Sequence, residues 1–339
     1  MIKDLKLKTA GVARGAFLIS NIEFKPFKGK PGNFMSCELG DMSGTIKGIM
    51  WEGTELYKDW IKNDMVLNVT GTMAVYKESP QMVISTMAKC ESYDPTLFIP
   101  SLDKSLIDEI MARLDQHRSK ITNETCETIW GAVIGYPKEG EPNSRREVFS
   151  RCLGGKGTVH HAYCGGLAQH SESMVRISEN IANWLGLDRD ILMTGCLIHD
   201  IGKIEAYKWD TAIDMTDAGR LLHHTTLGYK MLLEIAALYA IPANDITFLK
   251  LVHIISSHHH RDSLDKEALC KPMFPEAVTV ALIDNLDATT VHARDYSNKD
   301  ENKDPDTNWT KFCQLTGRQY YIPKEEKIGP DEPLIQKLS

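Results

Sequence analysis

The 339-residue sequence lacks several features that would place a chain in a membrane or outside the cell. It has no apolar run of membrane-spanning length, and its first residues, MIKDLKLK, are too charged for a secretory leader. It also lacks C-x-x-C pairs, internal repeats and low-complexity tracts, and its eight cysteines are scattered. We therefore expect reduced thiols in a cytoplasmic protein, without a membrane partner and long enough for two domains.

A strong positive charge is also missing, since the formal net charge is −7. Basic residues are nevertheless concentrated at one end, where residues 1–30 contain seven basic and two acidic side chains. A local basic face attracts phosphate even when the whole molecule is acidic. The overall charge therefore does not exclude a nucleic-acid partner.

The first 95 residues contain short alternating segments bounded by turn residues, which is typical of a small β-barrel. The predicted strands include residues 16–19, 34–39, 45–51, 65–72 and 81–85, with a short helix at 54–61. Five strands with a helical connection after the third match the order of an OB-fold, which binds single-stranded oligonucleotides. Trp51 is expected in the barrel core.

A loop in this region combines basic and aromatic side chains. Lysines suit phosphates and phenyl rings suit stacked bases, so the loop is a candidate single-strand binding site. The alternative is an exposed, solvated hairpin loop. The candidate residues are Lys25, Phe27, Lys28, Lys30 and Phe34.

Helical patterns dominate the rest of the chain. They cover residues 167–185, 191–201, 226–239, 246–257 and 275–291, without alternating strand patterns, so an all-α bundle is expected. Residues before this bundle form a connector with one helix starting near Ser101. The predicted domains are 1–95, the connector 96–156, the helical domain 157–297, and a tail 298–339 that packs on the helical domain.

Five of the predicted helices present histidine or aspartate at an end or on an apolar face. A buried ionisable residue is costly unless it is paired or bound to a metal, although any one alone is as readily a hydrogen-bonded core residue. Imidazoles and carboxylates together suit Mn²⁺, Fe²⁺, Co²⁺ or Ni²⁺, and the absence of cysteine ligands argues against structural zinc. The residues are His170, His199-Asp200, His223-His224, His258-His259-His260 and Asp284.

The set His170, His199-Asp200 and Asp284 resembles the H…HD…D signature of the HD-domain metal-dependent phosphohydrolases. Longer segments resemble more closely the YhaM-type 3′-to-5′ exoribonucleases, which join an OB-fold to an HD domain. These segments are HHAYCGGL (160–167), HDIGK (199–203), SHH (257–259) and IDNLDA (283–288). The resemblance covers most of the chain. It implies a multidomain α and β protein, with a five-stranded OB-fold barrel followed by an all-α HD-domain bundle.

The same resemblance implies a hydrolase that removes nucleoside monophosphates from the 3′ end of single-stranded RNA, and also of DNA. It implies two divalent transition metals per chain, with Mn²⁺ preferred and Fe²⁺, Co²⁺ or Ni²⁺ as alternatives. Two such ions activate water and neutralise charge on the phosphate. One ion is assigned to His170, His199, Asp200 and Asp284, and the other to His224, His258 and His259 with Asp200 bridging. His259 with His260 is the alternative to His258 with His259.

Other residues near this set have assigned roles. Lys203 is expected to act with Asp200 in catalysis by contacting the scissile phosphate, and its alternative role is that of a lysine favoured by a helix dipole. His160 and His161 are expected to bind phosphate or sugar, or alternatively to cap a helix. Asp287 is expected to orient a metal ligand.

Two other functions stay open at this point. The first is an HD phosphohydrolase for mononucleotides or cyclic dinucleotides, in which the barrel is regulatory. The second is a non-catalytic single-strand-binding protein with a degenerate metal site, against which the intact ligand set argues. Assembly into a homo-oligomer also stays open.

Overall fold

A computed structural model describes residues 1–77, 79–94, 97–99, 101–135, 145–155, 161–209, 213–259 and 269–322. The chain divides into two compact units. The first comprises Met1–Asp103 and Tyr207–Thr216, and the second comprises Lys104–Ala206 and Asp217–Ser339. The domain limits expected from the sequence, at residues 95, 156 and 297, stay a prediction. In the described ranges, no helix combines the length and apolarity needed to cross a membrane.

Five strands of the first unit close into a barrel, which confirms the predicted OB-fold. The strand order is β1-β2-β3-β5-β4, and only the pairing of β3 with β5 is parallel. A short helix α1 (Ile2–Leu5) precedes the barrel, and a 3-10 helix (Thr54–Leu56) follows the third strand. The strands are β1 (Val12–Pro26), β2 (Asn33–Asp41), β3 (Gly44–Met50), β4 (Met65–Tyr76) and β5 (Ser79–Lys89).

Apolar side chains on the inner face of the strands fill the barrel, including Phe17, Leu39 and Leu67. The expectation that Trp51 belongs to this core is wrong. Met50 at the end of β3 points inward and is buried, and successive side chains of an extended chain point to opposite faces. Trp51 accordingly lies outside, 43% exposed.

The second unit is a helical bundle, as the sequence predicts. Its long amphipathic and apolar segments form α5, α6 and α8 to α10, while α3 was not predicted and buries Ile129, Trp130 and Val133. The helices are α2 (Lys104–Arg118), α3 (Glu124–Ile134), α4 (Arg145–Arg151), α5 (Gly166–Leu185), α6 (Arg189–Ile198), α7 (Lys203–Ala206), α8 (Asp217–Leu238), α9 (Ile246–Ser257) and α10 (Pro275–Asn298).

Two features of the chain differ from a simple barrel and bundle. Strands β6 (Tyr207–Trp209) and β7 (Ile213–Met215) pair antiparallel between α7 and α8 in sequence, and they group with the first unit. After α10, the described part of the tail has isolated β-bridges, and its Cys313 Sγ lies 3.3 Å from His292 Nε2 of α10. Strands of three residues are too short to leave an alternating signal in the sequence.

The start of α6 is fixed by two aspartates. Asp188 caps the helix by accepting hydrogen bonds from the backbone of Asp190 and Ile191. The Asp190 carboxylate in turn accepts hydrogen bonds from the backbone of Thr122 and Asn123, just before α3. These bonds satisfy helix N-terminal donors and hold the helix that leads to His199.

Candidate metal centre

The predicted ligands converge within the helical unit from five helices or their ends. His170 lies on α5, His224 lies on α8, and Asp284 lies on α10. The remaining ligands follow the ends of α6 and α9 directly, and they are His199-Asp200 and His258-His259. Two groups form, in each of which one ligand atom per residue lies within 4.8 Å of the others: His170, His199 and Asp284, and Asp200, His224, His258 and His259.

The first group surrounds one oxygen of Asp200. His170 Nε2 lies 3.2 Å from both His199 Nε2 and Asp284 Oδ1. Asp200 Oδ2 lies 3.2 Å from His199 Nε2 and 4.0 Å from His170 Nε2. Ligand atoms around one ion are about 3 Å apart at right angles, because each metal–ligand bond is about 2.0–2.2 Å long. The spacing of the four atoms therefore fits one shared ion.

The second group surrounds the other oxygen of the same carboxylate. Asp200 Oδ1 lies 3.2 Å from His224 Nε2 and 3.6 Å from His258 Nε2. His259 Nε2 completes the group at 2.8 Å from His224 Nε2. Each oxygen of Asp200 therefore faces a different group of potential metal ligands.

Three of the histidines are held with Nε2 toward these groups. His199 Nδ1 lies 2.9 Å from the Cys196 carbonyl, and His258 Nδ1 lies 2.8 Å from the Ile255 carbonyl. His170 Nδ1 is 2.7 Å from Asp287 Oδ2. An imidazole that donates from Nδ1 keeps its lone pair on Nε2, which is the form that ligates a metal.

The polar atoms of the cluster fit a cation. Within the described residues, Asp200 Oδ1 and His258 Nε2 are buried and make no hydrogen bond, which is costly unless another partner binds them. Burial disfavours a charge on His170, but hydrogen bonds to Asp284 and Asp287 outweigh burial and raise its pKa to about 10. The surroundings of His170 thus stabilise positive charge. Nitrogen and carboxylate ligands without cysteine match Mn²⁺, Fe²⁺, Co²⁺ or Ni²⁺.

Local backbone features bring the two groups together. Gly202 follows the His199-Asp200 pair, and a Cβ at this position would overlap the His224 carbonyl. A glycine here therefore allows the turn to approach α8 closely. His223 interrupts α8 with φ 60° and ψ 158°, so the chain kinks immediately before His224.

Lys203 lies beside the bridging carboxylate. Its Nζ is 2.6 Å from Asp200 Oδ2 and donates a hydrogen bond to the Gly154 carbonyl. Burial acts to raise the pKa of Asp200, but Lys203 and His199 outweigh it and hold that pKa well below its usual range. The carboxylate is therefore ionised. The predicted contact of Lys203 with a phosphate stays a prediction.

A second layer of hydrogen bonds supports His170. Asp287 Oδ2 also lies 2.9 Å from His161 Nε2, and Asp287 Oδ1 accepts a 2.6 Å hydrogen bond from Ser173. His161 Nδ1 continues the network to Tyr163, at 2.8 Å. His161 thus contacts the residue that orients a ligand, and its predicted role in substrate binding stays a prediction. His160 and His260 lie outside the described residues.

Two half-buried rings of the candidate loop form an aromatic cluster with the exposed Trp51. Its rings are those of Phe27, Phe34 and Trp51, whose centroids lie 5.1–6.3 Å apart. Lys30 Nζ lies 4.1 Å from the Phe27 centroid. Trp51, which the sequence places in the barrel core, joins this cluster because Met50 before it points inward.

The other lysines of the loop are also exposed. Lys25 Nζ forms a 2.5 Å ion pair with Glu23, whereas Lys28 lies at the exposed end of the loop. An exposed ion pair of this kind contributes little to stability, so Lys25 is easily recruited by another anion. The loop therefore presents rings and cations on one surface of the first unit.

Part of the helical unit matches a known protein family. Residues 167–289 match the family model of the HD domain. All seven proposed ligands lie in that range, as does Asp287. The match covers little more than a third of the chain and includes none of the barrel.

Relatives match over a longer stretch. The 3′-5′ exoribonuclease YhaM of Bacillus subtilis is 24% identical over 291 residues, covering 85% of this chain and 88% of the relative. The YhaM protein of Bacillus velezensis is 26% identical over 266 residues, covering 78% and 80%.

Among solved structures, the HD domain of the L. monocytogenes phosphodiesterase PgpH is 22% identical, with a TM-score of 0.27. It covers 36% of this chain and 66% of its own. The chain has a five-stranded barrel followed by a helical region that contains an HD domain, and over most of its length it is similar to proteins named 3′-5′ exoribonuclease YhaM.

Proposed function

We propose that this protein is a divalent-metal-dependent exonuclease that removes nucleoside monophosphates from the 3′ end of single-stranded RNA. One observation carries the hydrolytic part of the proposal. The two oxygens of Asp200 face two separate groups of imidazole and carboxylate ligands. Such a centre is suited to hydrolysis of a phosphodiester.

The residues of the chain divide this task. His170, His199 and Asp284 would hold one ion, His224, His258 and His259 the other, and Asp200 both. Two bound ions supply Lewis-acid stabilisation of the charge that develops on the phosphoryl oxygens and activate the attacking water. Lys203, beside Asp200, is the proposed cationic contact of the scissile phosphate.

The barrel supports a single-stranded polymer as the substrate. Its cluster of the exposed Trp51 with the half-buried Phe27 and Phe34 suits stacking of bases, and Lys28 and Lys30 suit the phosphates between them. The names of the YhaM relatives support the 3′-to-5′ direction and RNA as the substrate. Single-stranded DNA is a second substrate to compare, and Mn²⁺ is the first metal to supply.

The test is a time course with 3′-labelled and 5′-labelled single strands of RNA in the presence of Mn²⁺. We expect the 3′ label to be released at once as a mononucleotide, while the 5′ label passes through a ladder of shortened strands. Asp200→Ala should reduce the rate by more than the roughly 10–100-fold typical for residues that only orient ligands, because both ions lose a ligand. Metal content measured by elemental analysis should fall in parallel.

A matched control is Glu205→Gln, which removes a carboxylate five residues further on that pairs with Lys230 at the surface. This variant should keep both the metal content and the rate. Cleavage of free nucleotides or cyclic dinucleotides without any shortening of labelled strands would instead assign the centre to small substrates. A metal-free protein that binds strands without cleaving them would leave only the binding function.

A further inference from the structure

A cavity of about 240 Å³ opens in the helical unit behind the proposed metal centre. It is lined by residues of α2, α5 and α10, and none of the seven proposed ligands lines it. Its inner end contains His161, Ser173 and Asp287. Asp287 contacts Nδ1 of His170, whereas Nε2 on the other side of that ring faces the metal centre. The cavity is therefore a space distinct from the centre.

The walls of this cavity are mostly apolar. Leu106 lines it from α2, Ile177 from α5, and Leu286 with Val291 from α10. Leu286 is 53% exposed and leaves apolar surface uncovered at this cavity. Apolar walls with a few polar groups are typical of a small-molecule site.

Three arginines of the cavity can contact an anion. Arg113, Arg176 and Arg294 line it, against two carboxylates. Both carboxylates are engaged by protein donors, since Glu172 accepts a 2.8 Å hydrogen bond from Arg113 and Asp287 is held by His161, His170 and Ser173. Arg294 pairs with Asp295, whose side chain is 43% exposed, and an exposed pair of this kind is weak enough for a phosphate to replace the carboxylate. Guanidinium groups bind phosphate through several donors at once and stack on planar rings.

Uncharged donors complete the lining. Gln169 accepts a hydrogen bond from Tyr163 through Oε1, which leaves its amide group to donate, and Thr290 adds an exposed hydroxyl. The volume is just below the range of about 300–1,000 Å³ for drug-sized ligands, so the cavity suits one nucleotide and excludes a chain. Apolar walls, arginines and amide donors together match a base, a phosphate and the polar edge of the base.

We infer that this cavity binds a nucleoside 5′-monophosphate, with the base between the apolar walls and the phosphate at the arginines. The choice of ligand rests on the proposed function, which releases that class of product. A bound nucleotide would contact the His161–Asp287 layer that orients His170. The cavity is thus a product or effector site next to the centre and separate from it.

The test is isothermal titration of full-length protein with adenosine and uridine 5′-monophosphate, once with Mn²⁺ and once after dialysis against EDTA. We expect binding under both conditions. Leu286→Trp fills the mouth of the cavity and should weaken binding at least tenfold. Leu282→Trp, one turn earlier on α10 and 63% exposed, does not line the cavity and should change binding less than twofold.

Fragments of the nucleotide and a second variant test the base-binding and phosphate-binding parts of the cavity separately. Inorganic phosphate alone and the nucleoside alone should each bind at least tenfold more weakly than the monophosphate. Arg294→Gln should weaken binding of the monophosphate and leave binding of the nucleoside unchanged. This variant still tests the inference if Leu286→Trp does not fold. Thermal unfolding checks that each variant is folded.

Two results would overturn the inference. One is binding that needs Mn²⁺ and is indifferent to Leu286→Trp, since the nucleotide would then lie at the metals. The other is binding of inorganic phosphate as tight as that of the monophosphate. The EDTA titration involves no turnover, so a failure of the exonuclease assay leaves its result intact.

Discussion

Asp287 shows how much of the centre depends on a residue that is itself no ligand of the proposed ions. One of its oxygens contacts both His170 and His161, and the other accepts a hydrogen bond from Ser173. Burial acts to raise the pKa of Asp287, but the hydrogen bonds from His161 and His170 outweigh it and lower that pKa. The carboxylate stays ionised, and it keeps the Nδ1 proton of His170 in place.

Replacement of Asp287 by asparagine should therefore weaken metal binding without removing a ligand. An amide accepts through one oxygen only and carries no charge, so His170 loses part of its orientation. We expect the affinity for Mn²⁺ to fall about 10–100-fold, as for other residues that hold a metal-bound histidine. Titration of metal-free protein with Mn²⁺ measures this affinity.

Asp295→Asn is the control for that variant, because Asp295 lies on the same helix and pairs only with Arg294 among the described residues. It should bind Mn²⁺ as the unchanged protein does. Equal affinities for Asp287→Asn and the unchanged protein would show that His170 needs no such support.

The identity of the site residues could be predicted from the sequence, but their geometry could not. His170, Asp200 and Asp284 stand out because ionisable groups interrupt apolar helical patterns, and the structure brings them together. The division of Asp200 between two groups follows from how five helices pack, which no local pattern encodes. Trp51 was misplaced because periodicity alone did not show where β3 ends.

Among the helices and strands, the kink of α8 has a measurable cost in folding free energy. His223 has a positive φ of 60° with an extended ψ, a region that is almost restricted to glycine. Its side chain is exposed, so packing contacts of the imidazole do not compensate for this strain. The kink instead serves its neighbour, His224, which it directs toward Asp200.

His223→Gly should accordingly stabilise the protein. Relief of strain is worth about 1–3 kcal/mol, partly offset by about 0.5–1 kcal/mol for the greater freedom of glycine in the unfolded chain. We expect a net gain of about 1 kcal/mol, measured by urea denaturation. His223→Ala retains a Cβ and should gain nothing, and an equal gain in both variants would mean that the imidazole is the source of the cost.

The elements themselves were predictable to different degrees. Long helices such as α5 and α9 carry clear periodicity, and the barrel strands alternate between turn residues. Helix α3 was not predicted, although its buried residues Cys126, Ile129, Trp130, Val133 and Ile134 follow the spacing of a single helix face. The β6–β7 pair is too short to detect.

At the scale of the whole molecule, the proposed division of labour makes the barrel matter only for long substrates. Phe27→Ala and Trp51→Ala each remove a ring from the aromatic cluster. Stacking is worth about 1–3 kcal/mol per base, so each should lower kcat/KM on a long RNA strand about 5–150-fold. Hydrolysis of bis-p-nitrophenyl phosphate, which cannot reach along a barrel, should be unchanged.

Tyr76→Ala is the matched control, since Tyr76 is an exposed aromatic residue at the end of β4 and makes no ring contact with the cluster. Its effect on the long strand should be less than twofold. If Trp51→Ala reduced hydrolysis of both substrates equally, the barrel would contribute to stability and not to holding the strand.

The first unit is assembled from two separated parts of the chain, Met1–Asp103 and Tyr207–Thr216, and this fixes an order during synthesis. Ribosomes add about 5–20 residues per second, so the second part follows the first by roughly 5–20 s. During that interval the barrel strands are complete while the β6–β7 pair does not yet exist. The helices that carry His170 and lead to Asp200 are therefore made before the first unit receives its final piece.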